Sequence, residues 1–291
     1  MVKISHEHGA SSAVGLSDYS ANKYSQNGED GIIARVFSII GPGEKRCCEF
    51  GSWDGIHLSN TRALIESGWS GALIECDSER FNRLEGNTRQ FQNVATIRAC
   101  VDTTTNRLST LLKRAGFPPR LDFLSIDVDG LDYELFIPPD DIRPRLILVE
   151  VNACHDPNST AIVPRELAAN CIGQPLRAFV SAADEAGYRL ICYTGNAFFL
   201  RRDEGKESEL PTLTPQQAYS DFLSHVSRSV RRWIYLSNLG LVPPYYCFKN
   251  PLLTSSSLNM SILETARAYT AWLVFKIRRG LSRFLRIWRR S

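Results

Sequence analysis

The stretch that decides the fold is Cys47-Cys48-Glu49-Phe50-Gly51-Ser52-Trp53-Asp54-Gly55, followed after a helical segment by Ala72-Leu73-Ile74-Glu75-Cys76-Asp77. It predicts a strand, a glycine turn, a helix and a second strand that ends in an acidic residue. A glycine turn after a strand, with an acid about 20 residues further on, is the general plan of a nucleotide site. The turn lets a ligand approach the backbone, and the second acid accepts hydrogen bonds from ribose hydroxyls.

The charge of the glycine turn narrows the choice of ligand. A dinucleotide site uses three glycines to bring a pyrophosphate against the backbone at a helix N-terminus. This turn has only Gly51 and Gly55, and Glu49 and Asp54 place negative charge where a pyrophosphate would lie. A ligand with a ribose, no phosphate and a positive sulfonium fits better, which indicates S-adenosylmethionine. The simpler alternative is an ordinary strand-to-helix turn, with Glu75 as a surface acid.

Composition places the chain among ordinary globular proteins. It has 291 residues, of which 43% are hydrophobic and 22% charged, enough for a sizeable core. We expect no signal peptide, because residues 1–20 contain no apolar segment. No Cys-x-x-Cys pair occurs, so zinc and dithiol redox sites are not predicted, and cysteines in apolar strands usually act as small buried hydrophobes. We therefore expect reduced cysteines and a cytoplasmic location; the eight are Cys47, Cys48, Cys76, Cys100, Cys154, Cys171, Cys192 and Cys247.

Basic residues are concentrated near the C-terminus. Eight of the 34 Lys and Arg residues follow Glu264, the last acid, so the rest of the chain carries 26 basic and 31 acidic side chains. Within residues 263–290, apolar and basic residues recur at three- and four-residue steps, which predicts an amphipathic helix with a basic side. Its longest uncharged run, 268–275, is too short to span a bilayer. Such a helix would bind an anionic membrane surface peripherally or dock on the globular body, and no nucleic-acid partner is expected.

Helical and strand patterns alternate through the body, as a doubly wound α/β fold requires. We expect a mostly parallel, seven-stranded sheet of the Rossmann-like kind. The predicted organisation is a flexible N-terminus at 1–22, a main domain at 23–202, a loop-rich extension with short helical pieces at 203–260 and the basic helix at 261–291. The predicted strands are 46–50, 72–75, 94–100, 121–126 and 145–151, followed by a hairpin of 189–193 and 197–201; the predicted helices include 30–40, 80–90, 105–115, 132–136 and 177–186.

Each of the five predicted parallel strands ends in acid. Ligands of such sheets bind at the carboxyl ends of the strands, near the point where the strand order reverses. Acids at strand ends also serve as helix caps and turn residues, but five coincident acidic ends favour a cationic ligand or a metal. The polar residues at these ends are Glu49, Asp54, Glu75, Asp77, Asp102, Asp127, Asp129, Glu150, Asn152 and His155.

Seven short stretches form a set that is more specific than any one of them. They are Tyr24–Asp30, Glu49–Gly55, Ser59–Thr61, Gly68–Glu75, Leu121–Gly130, Gly187-Tyr188 and Asn196–Phe199. Together they resemble the FkbM-type branch of the S-adenosylmethionine-dependent, class I methyltransferases, over about residues 24–202. Ser125 and Asp129-Gly130 depart from the pattern, since better-known members have lysine before the acid of the fourth strand and Glu-Gly after it.

The resemblance implies roles for the matched residues. Glu75 would accept hydrogen bonds from the ribose hydroxyls, and Asp102 would approach the adenine amino group or remain a loop acid. Gln26 would fold over the cofactor, although the same segment also fits a helix-capping pattern that starts at Ser25. Asn60 would contact the ligand or cap the first helix after the glycine turn. The resemblance also implies that the methionine part of the cofactor and the edge of its sugar are held by Glu49, Gly51, Asp54 and Gly55. Asp127 is the remaining cofactor residue that it implies.

Methyl transfer to a hydroxyl requires alignment of the acceptor and removal of the hydroxyl proton. His155, after the fifth strand, is the first candidate for the base, because an imidazole titrates near neutral pH. Asp127 is the rival base, and His57 in the glycine turn is a weaker third candidate. A metal-assisted reaction is an alternative, since oxygen ligands of the kind magnesium accepts are present in Asp127, Asp129, Glu150 and Asn152.

The activity expected from the resemblance is O-methylation of a sugar or glycan hydroxyl, with S-adenosylmethionine as the cofactor. Two other classes of function stay open. A nicotinamide-dependent sugar oxidoreductase is one, and the missing third glycine and the acidic turn argue against it. A non-catalytic module that keeps the fold as a scaffold is the other, and the presence of Glu49, Gly51, Glu75 and Asp127 argues against it.

Overall fold

The computed structural model describes residues 15–128, 130–137, 142–164 and 173–226, together with Arg231 and Ile234. Their centre is one seven-stranded sheet with the strand order β3-β2-β1-β4-β5-β7-β6. The first five strands pair in parallel, and β7 lies antiparallel between β5 and β6. The strands are β1 (Arg46–Phe50), β2 (Ser70–Glu75), β3 (Val94–Arg98), β4 (Phe123–Ile126), β5 (Leu146–Glu150), β6 (Tyr188–Tyr193) and β7 (Asn196–Arg201).

Helices cover both faces of the sheet, because successive strand residues point to opposite sides and both sets are apolar. On one face, Cys47 and Leu73 pack with the apolar residues of α1, α2 and α3. On the other, Cys48 and Ile74 pack with those of α4 to α7. This arrangement confirms the predicted doubly wound α/β fold. The helices are α1 (Glu29–Ile40), α2 (Arg62–Glu66), α3 (Ser78–Thr88), α4 (Leu108–Arg114), α5 (Asp132–Leu135), α6 (Leu176–Glu185) and α7 (Pro215–His225).

The two segments that flank the main domain, one before it and one after it in the chain, contact each other. A 3-10 helix, Leu16–Tyr19, lies within the N-terminus that was expected to be flexible at 1–22, and the Ser17 hydroxyl is buried and donates to Asp221 of α7. Helix α7 lies within the extension expected to be loop-rich at 203–260. It begins at a capping box, in which the Thr214 hydroxyl and the Gln217 side chain bond reciprocally to backbone N–H groups.

The cysteines differ in part from the expectation. Cys47, Cys48, Cys154 and Cys192 are buried thiols, as predicted. Cys76 and Cys100 form a disulfide with their Cα atoms 4.6 Å apart, so the expectation of reduced cysteines is wrong for this pair. The reason is the parallel pairing of β2 with β3, which puts Glu75 opposite Arg98 and brings the residues after both strands together. The cytoplasmic location stays a prediction.

The predicted basic amphipathic helix at 261–291 lies outside the described residues, as do Cys171 and Cys247. Within the part of the chain that the structure describes, no helix is long and apolar enough to cross a membrane.

Candidate active site

The strand order reverses between β1 and β4, and the carboxyl ends of these two strands lie side by side. Gly51, directly after β1, has φ +78°, in the left-handed region that favours glycine. A Cβ at this position would lie 1.6 Å from the carbonyl oxygen of Asp127, which follows β4. The two backbones are therefore in contact at the switch point, the place where open α/β sheets bind their ligands.

Glu49 organises the loop that follows the glycine turn. One of its carboxylate oxygens accepts hydrogen bonds from the Ser59 hydroxyl (2.7 Å) and the Thr61 hydroxyl (2.6 Å). The other accepts the Asn60 N–H at 2.8 Å. Burial raises the pKa of Glu49, and the two hydroxyl bonds oppose that shift. In this structure Glu49 faces the loop 59–61, and its contact with a cofactor stays a prediction.

Asn60 joins this loop to the neighbouring strand. Its side-chain amide donates to the hydroxyl of Ser125 at 3.1 Å, and both residues are buried. Ser125 lies on β4 directly opposite Glu49 on β1. The serine that departs from the resemblance at this position is therefore a hydrogen-bonded part of the same polar group as Glu49.

Asp54 and Gly55 shape the exposed turn beyond Gly51. One oxygen of Asp54 accepts the N–H groups of Ile56 (2.9 Å) and His57 (2.7 Å), which closes a tight turn. Gly55 has φ +70°, and a Cβ there would meet Leu84 of α3 at 2.6 Å. The turn is thereby packed against α3, and the exposed imidazole of His57 lies edge-to-face against Trp53.

Glu75 ends β2 and ties this strand to the glycine turn. Its side chain is buried, with one oxygen accepting the Trp53 N–H and the other the Asp77 N–H, both at 2.8 Å. Asp77 itself caps α3 by accepting the N–H groups of Glu79 and Arg80. Glu75 is thus fixed at the carboxyl end of β2, next to the turn, where the sequence placed it.

Asp102 and Gln26 have local roles in this structure. Asp102 accepts the backbone N–H groups of Thr104, Thr105 and Asn106 with one oxygen. These bonds, the one from Thr104 first, lower the pKa of Asp102. Gln26 is exposed, and its backbone carbonyl accepts the side-chain amide of Asn22 at 3.1 Å. The proposed cofactor contacts of both residues stay predictions.

Three carboxylates meet at the carboxyl ends of β4 and β5. Asp127, Asp132 and Glu150 each offer an oxygen within 4.8 Å of the others, and we call them the acidic cluster. Asp132 is buried and accepts the N–H groups of Val128 and Gly130, each at 2.8 Å. Burial, followed by the charge of Asp127, raises the pKa of Asp132 to about 7.

The acidic cluster contains two of the predicted metal ligands and one residue that the sequence did not single out. Asp127 and Glu150 come together as expected, and Asp129 lies outside the described residues. Asp132 was missed because an acid at the start of a short helix is ordinary. A carboxylate five residues beyond a strand-end acid was the one available signal.

His155 lies on the loop that continues from β5. The side chain is half-buried, and its backbone N–H donates to the carbonyl of Asn152 at 3.4 Å. Asn152 is buried, and its side-chain oxygen accepts the Cys154 N–H at 2.8 Å. Both residues are therefore on the side of the switch point that carries Glu150, as the sequence predicted.

Solved structures similar to part of this chain include the following three. SAH-bound PaMTH1 of Podospora anserina is 14% identical, with 59% of this chain and 78% of that chain covered and a TM-score of 0.40. The N-terminal domain of EvdMO1, solved in the presence of SAH and D-fucose, is 18% identical over 62% and 84% of the two chains, with a TM-score of 0.42. The O-methyltransferase from Bacillus cereus in complex with SAH is 14% identical over 58% and 78%, with a TM-score of 0.37.

Sequence comparison relates part of the chain to a known family. No curated protein has a matching sequence. Residues 55–190 match the profile of the family described as "Methyltransferase FkbM domain". The match begins in the glycine turn at Gly55 and ends in β6, and β1 and β7 complete the same sheet outside the matched range. Residues 55–190, just under half of the chain, are therefore similar to the methyltransferase FkbM domain.

Proposed function

We propose that this protein is an S-adenosylmethionine-dependent methyltransferase that methylates a hydroxyl oxygen of a sugar or glycan. The observation that carries the cofactor proposal is the acidic switch point. There the backbone of Gly51 touches that of Asp127, and buried Glu49 and Glu75 flank the glycine turn. The FkbM domain supports the reaction class, and the family resemblance of the motifs supports the sugar hydroxyl as acceptor.

The residues at the switch point fit a cationic ligand that carries a ribose. Each oxygen of Glu75 accepts one backbone N–H and has a second lone pair, so Glu75 can also accept ribose hydroxyls. Glu49, Asp54 and Asp127 add negative charge, which favours sulfonium and ammonium groups over phosphates. When bound, S-adenosylmethionine would supply a methyl group already activated by its sulfonium.

The same turn is unsuited to a dinucleotide, which argues against the oxidoreductase. A pyrophosphate needs the N–H groups at the start of the following helix. Here Glu49 accepts the Asn60 N–H at 2.8 Å. The Ser59 hydroxyl accepts those of Thr61 at 3.3 Å and Arg62 at 3.1 Å. Three backbone donors at the start of α2 that a pyrophosphate would use are thus engaged within the protein.

The contribution of the chain to methyl transfer would be to align the acceptor and to take its hydroxyl proton. His155 is the first candidate base, since it follows β5 on the Glu150 side of the switch point, where we place the acceptor, and an imidazole ordinarily titrates near neutral pH. Asp127 is the second, because it directly follows β4 and lies beside Gly51. His57 is exposed in the turn on the other side, next to Trp53. We therefore rank it third.

The acidic cluster supports a metal-assisted form of the same reaction as a second candidate. Three carboxylates within 4.8 Å of one another are ligands that magnesium accepts. A bound divalent cation would also offset the repulsion between Asp127 and Asp132. The two forms differ in their response to chelators, because proton removal by His155 alone needs no metal.

Transfer of tritium from methyl-labelled S-adenosylmethionine to p-nitrophenyl hexosides tests the proposed function. We expect a labelled hexoside with the wild-type protein and much less with Asp127→Asn. Asp184→Asn serves as the control, because Asp184 is an acid on the surface of α6 whose ion pair with Arg202 is exposed. Cofactor binding without any labelled product would favour the non-catalytic module. Reduction of NAD⁺ in the presence of a hexoside would favour the oxidoreductase.

A further inference from the structure

Two tyrosine hydroxyls donate to the backbone of the loop that carries His155. The Tyr193 hydroxyl, at the end of β6, donates to the carbonyl of Val151 at 3.1 Å. The Tyr219 hydroxyl, on α7, donates to the carbonyl of Ala153 at 2.8 Å. Both side chains are buried, and their rings are nearly parallel, with centroids 6.3 Å apart. The two hydroxyls thus bond to alternate residues of one short segment.

These bonds satisfy carbonyl groups that lie just beyond the end of strand β5. Strand β5 ends at Glu150, and its pairing with β7 ends there, where Glu150 lies opposite Asn196. Val151 and Ala153 are nevertheless buried, and a buried carbonyl requires a donor. Beyond Glu150, the Val151 N–H still donates to the Gly195 carbonyl, in the turn between β6 and β7, at 3.0 Å. The two tyrosine hydroxyls add donors to the carbonyls of Val151 and Ala153, and so help to fix the conformation of the segment.

The segment held in this way, residues 151–155, leads directly from Glu150 of the acidic cluster to Asn152 and His155. Tyr219 comes from α7, which follows the matched methyltransferase range 55–190. A capping box at Thr214 fixes the start of α7, and thereby the position of Tyr219 in its second turn. The C-terminal extension therefore contributes a specific contact to the acceptor side of the site.

We propose that Tyr219, with Tyr193, is a positioning residue that holds residues 151–155, and with them His155, at the acceptor end of the cleft. This inference rests on the proposed function. The hydroxyl acts through the backbone of Ala153, so its loss misplaces the loop while the ring continues to fill its place in the core. Small displacements of reacting groups lower turnover by roughly 10- to 100-fold. Cofactor binding, which involves the ends of β1 and β2, stays within about twofold of wild type.

The test compares full-length Tyr219→Phe with Tyr188→Phe. Tyr188 is the matched control, because it is also buried and its hydroxyl donates to a backbone carbonyl at 2.8 Å, but that carbonyl belongs to Pro144, before β5 begins. The first readout is methyl transfer from S-adenosylmethionine to p-nitrophenyl hexosides. The second is the imidazole resonance of His155 in the ¹⁵N-histidine NMR spectrum. Only five histidines are present, so His155→Gln assigns it.

A positioning role predicts that Tyr219→Phe lowers kcat by roughly 10- to 100-fold. The same substitution should shift the His155 resonance and leave the affinity for S-adenosylmethionine unchanged. Tyr188→Phe should match wild type in all three measurements. An unchanged His155 resonance and kcat in Tyr219→Phe would overturn the inference. Equal effects of the two substitutions would also overturn it, because they would indicate a general loss of packing.

If wild type transfers no methyl group to hexosides, the proposed function fails at its acceptor. The His155 resonance then decides the inference alone: a shift only in Tyr219→Phe supports it and no shift overturns it.

Discussion

Replacement of Gly51 by alanine tests the contact between the ends of β1 and β4. The new Cβ would lie 1.6 Å from the Asp127 carbonyl oxygen, whereas Cβ contacts below 3.0 Å are essentially never seen. The two strand ends must therefore separate by about 1.4 Å, the difference between these distances. Since ligands of such sheets bind at this switch point, the separation should also weaken cofactor binding.

The cost of Gly51→Ala has two parts. A non-glycine residue at φ +78° is strained by about 1–2 kcal/mol. Forcing extra atoms into a packed contact adds about 1–3 kcal/mol. The free energy of unfolding should therefore fall by about 2–5 kcal/mol, a large part of the stability of a typical domain.

Gly68→Ala is the matched control for this substitution. Gly68 also has a positive φ, +90°, but a Cβ there would have no heavy atom within 4 Å. It should lose only the conformational part, about 1–2 kcal/mol. Urea denaturation followed by circular dichroism measures both variants. If Gly51→Ala and Gly68→Ala are destabilised equally, the reasoning about the contact between Gly51 and Asp127 is refuted.

Three further predictions address the base, the N-terminal segment and the tail. His155→Ala should lower turnover by about 10²–10⁴ without weakening cofactor binding, and EDTA should have no effect. Full activity in that variant, with loss on EDTA and rescue by magnesium, would favour the acidic cluster as a metal site. Hydrogen bonds from Lys23 and then Tyr24 lower the pKa of Glu66 to about 2, below its usual 4.5. Glu66 therefore stabilises the fold above about pH 4.5, and this contribution is lost as the pH falls towards 2. In urea titrations Glu66→Gln should be less stable than wild type at pH 7, and a gap that fails to close in acid would contradict this. The full chain should float with anionic liposomes at low salt and a 1–260 truncation should not; sedimentation of both would favour a tail docked on the body.

The sheet was predictable because each strand is a short apolar run that stops at a polar residue. β1 was placed at 46–50, and the structure has Arg46–Phe50. Each of the other strands differs from its predicted range by one or two residues at one or both ends, as at β3, where the expected 94–100 became Val94–Arg98. Such shifts arise because pairing with a neighbour, rather than the run itself, sets where a strand ends.

What the sequence could not supply was contact between distant parts of the chain. The Cys76–Cys100 disulfide depends on the register of β2 against β3, which no local pattern reveals. The inward orientation of Glu49 depends on donors ten to twelve residues further along, at Ser59 and Thr61. Asp132 has a local pattern identical to that of a helix-starting acid, and only the fold places it beside Asp127.

One missed element did have a local signal. Helix α7 was expected only as a short helical piece in a loop-rich extension. Thr214-Pro215-Gln216-Gln217 combines a hydroxyl at the cap, proline at the first helical position and glutamine three residues after the cap. This combination is typical of a helix N-terminus. These four residues were therefore sufficient to predict the start of the helix that carries Tyr219.

Calorimetric titration with S-adenosylmethionine tests the central claim most directly. The wild-type protein should bind it, and Glu75→Ala should lose about 1.5–3 kcal/mol of binding free energy, the value of charge-assisted hydrogen bonds. The corresponding loss of affinity is roughly 10- to 150-fold. Glu79→Ala, which removes an exposed acid of α3, should bind as wild type does. Binding of NADH without any binding of S-adenosylmethionine, or equal affinity in wild type and Glu75→Ala, would contradict the account.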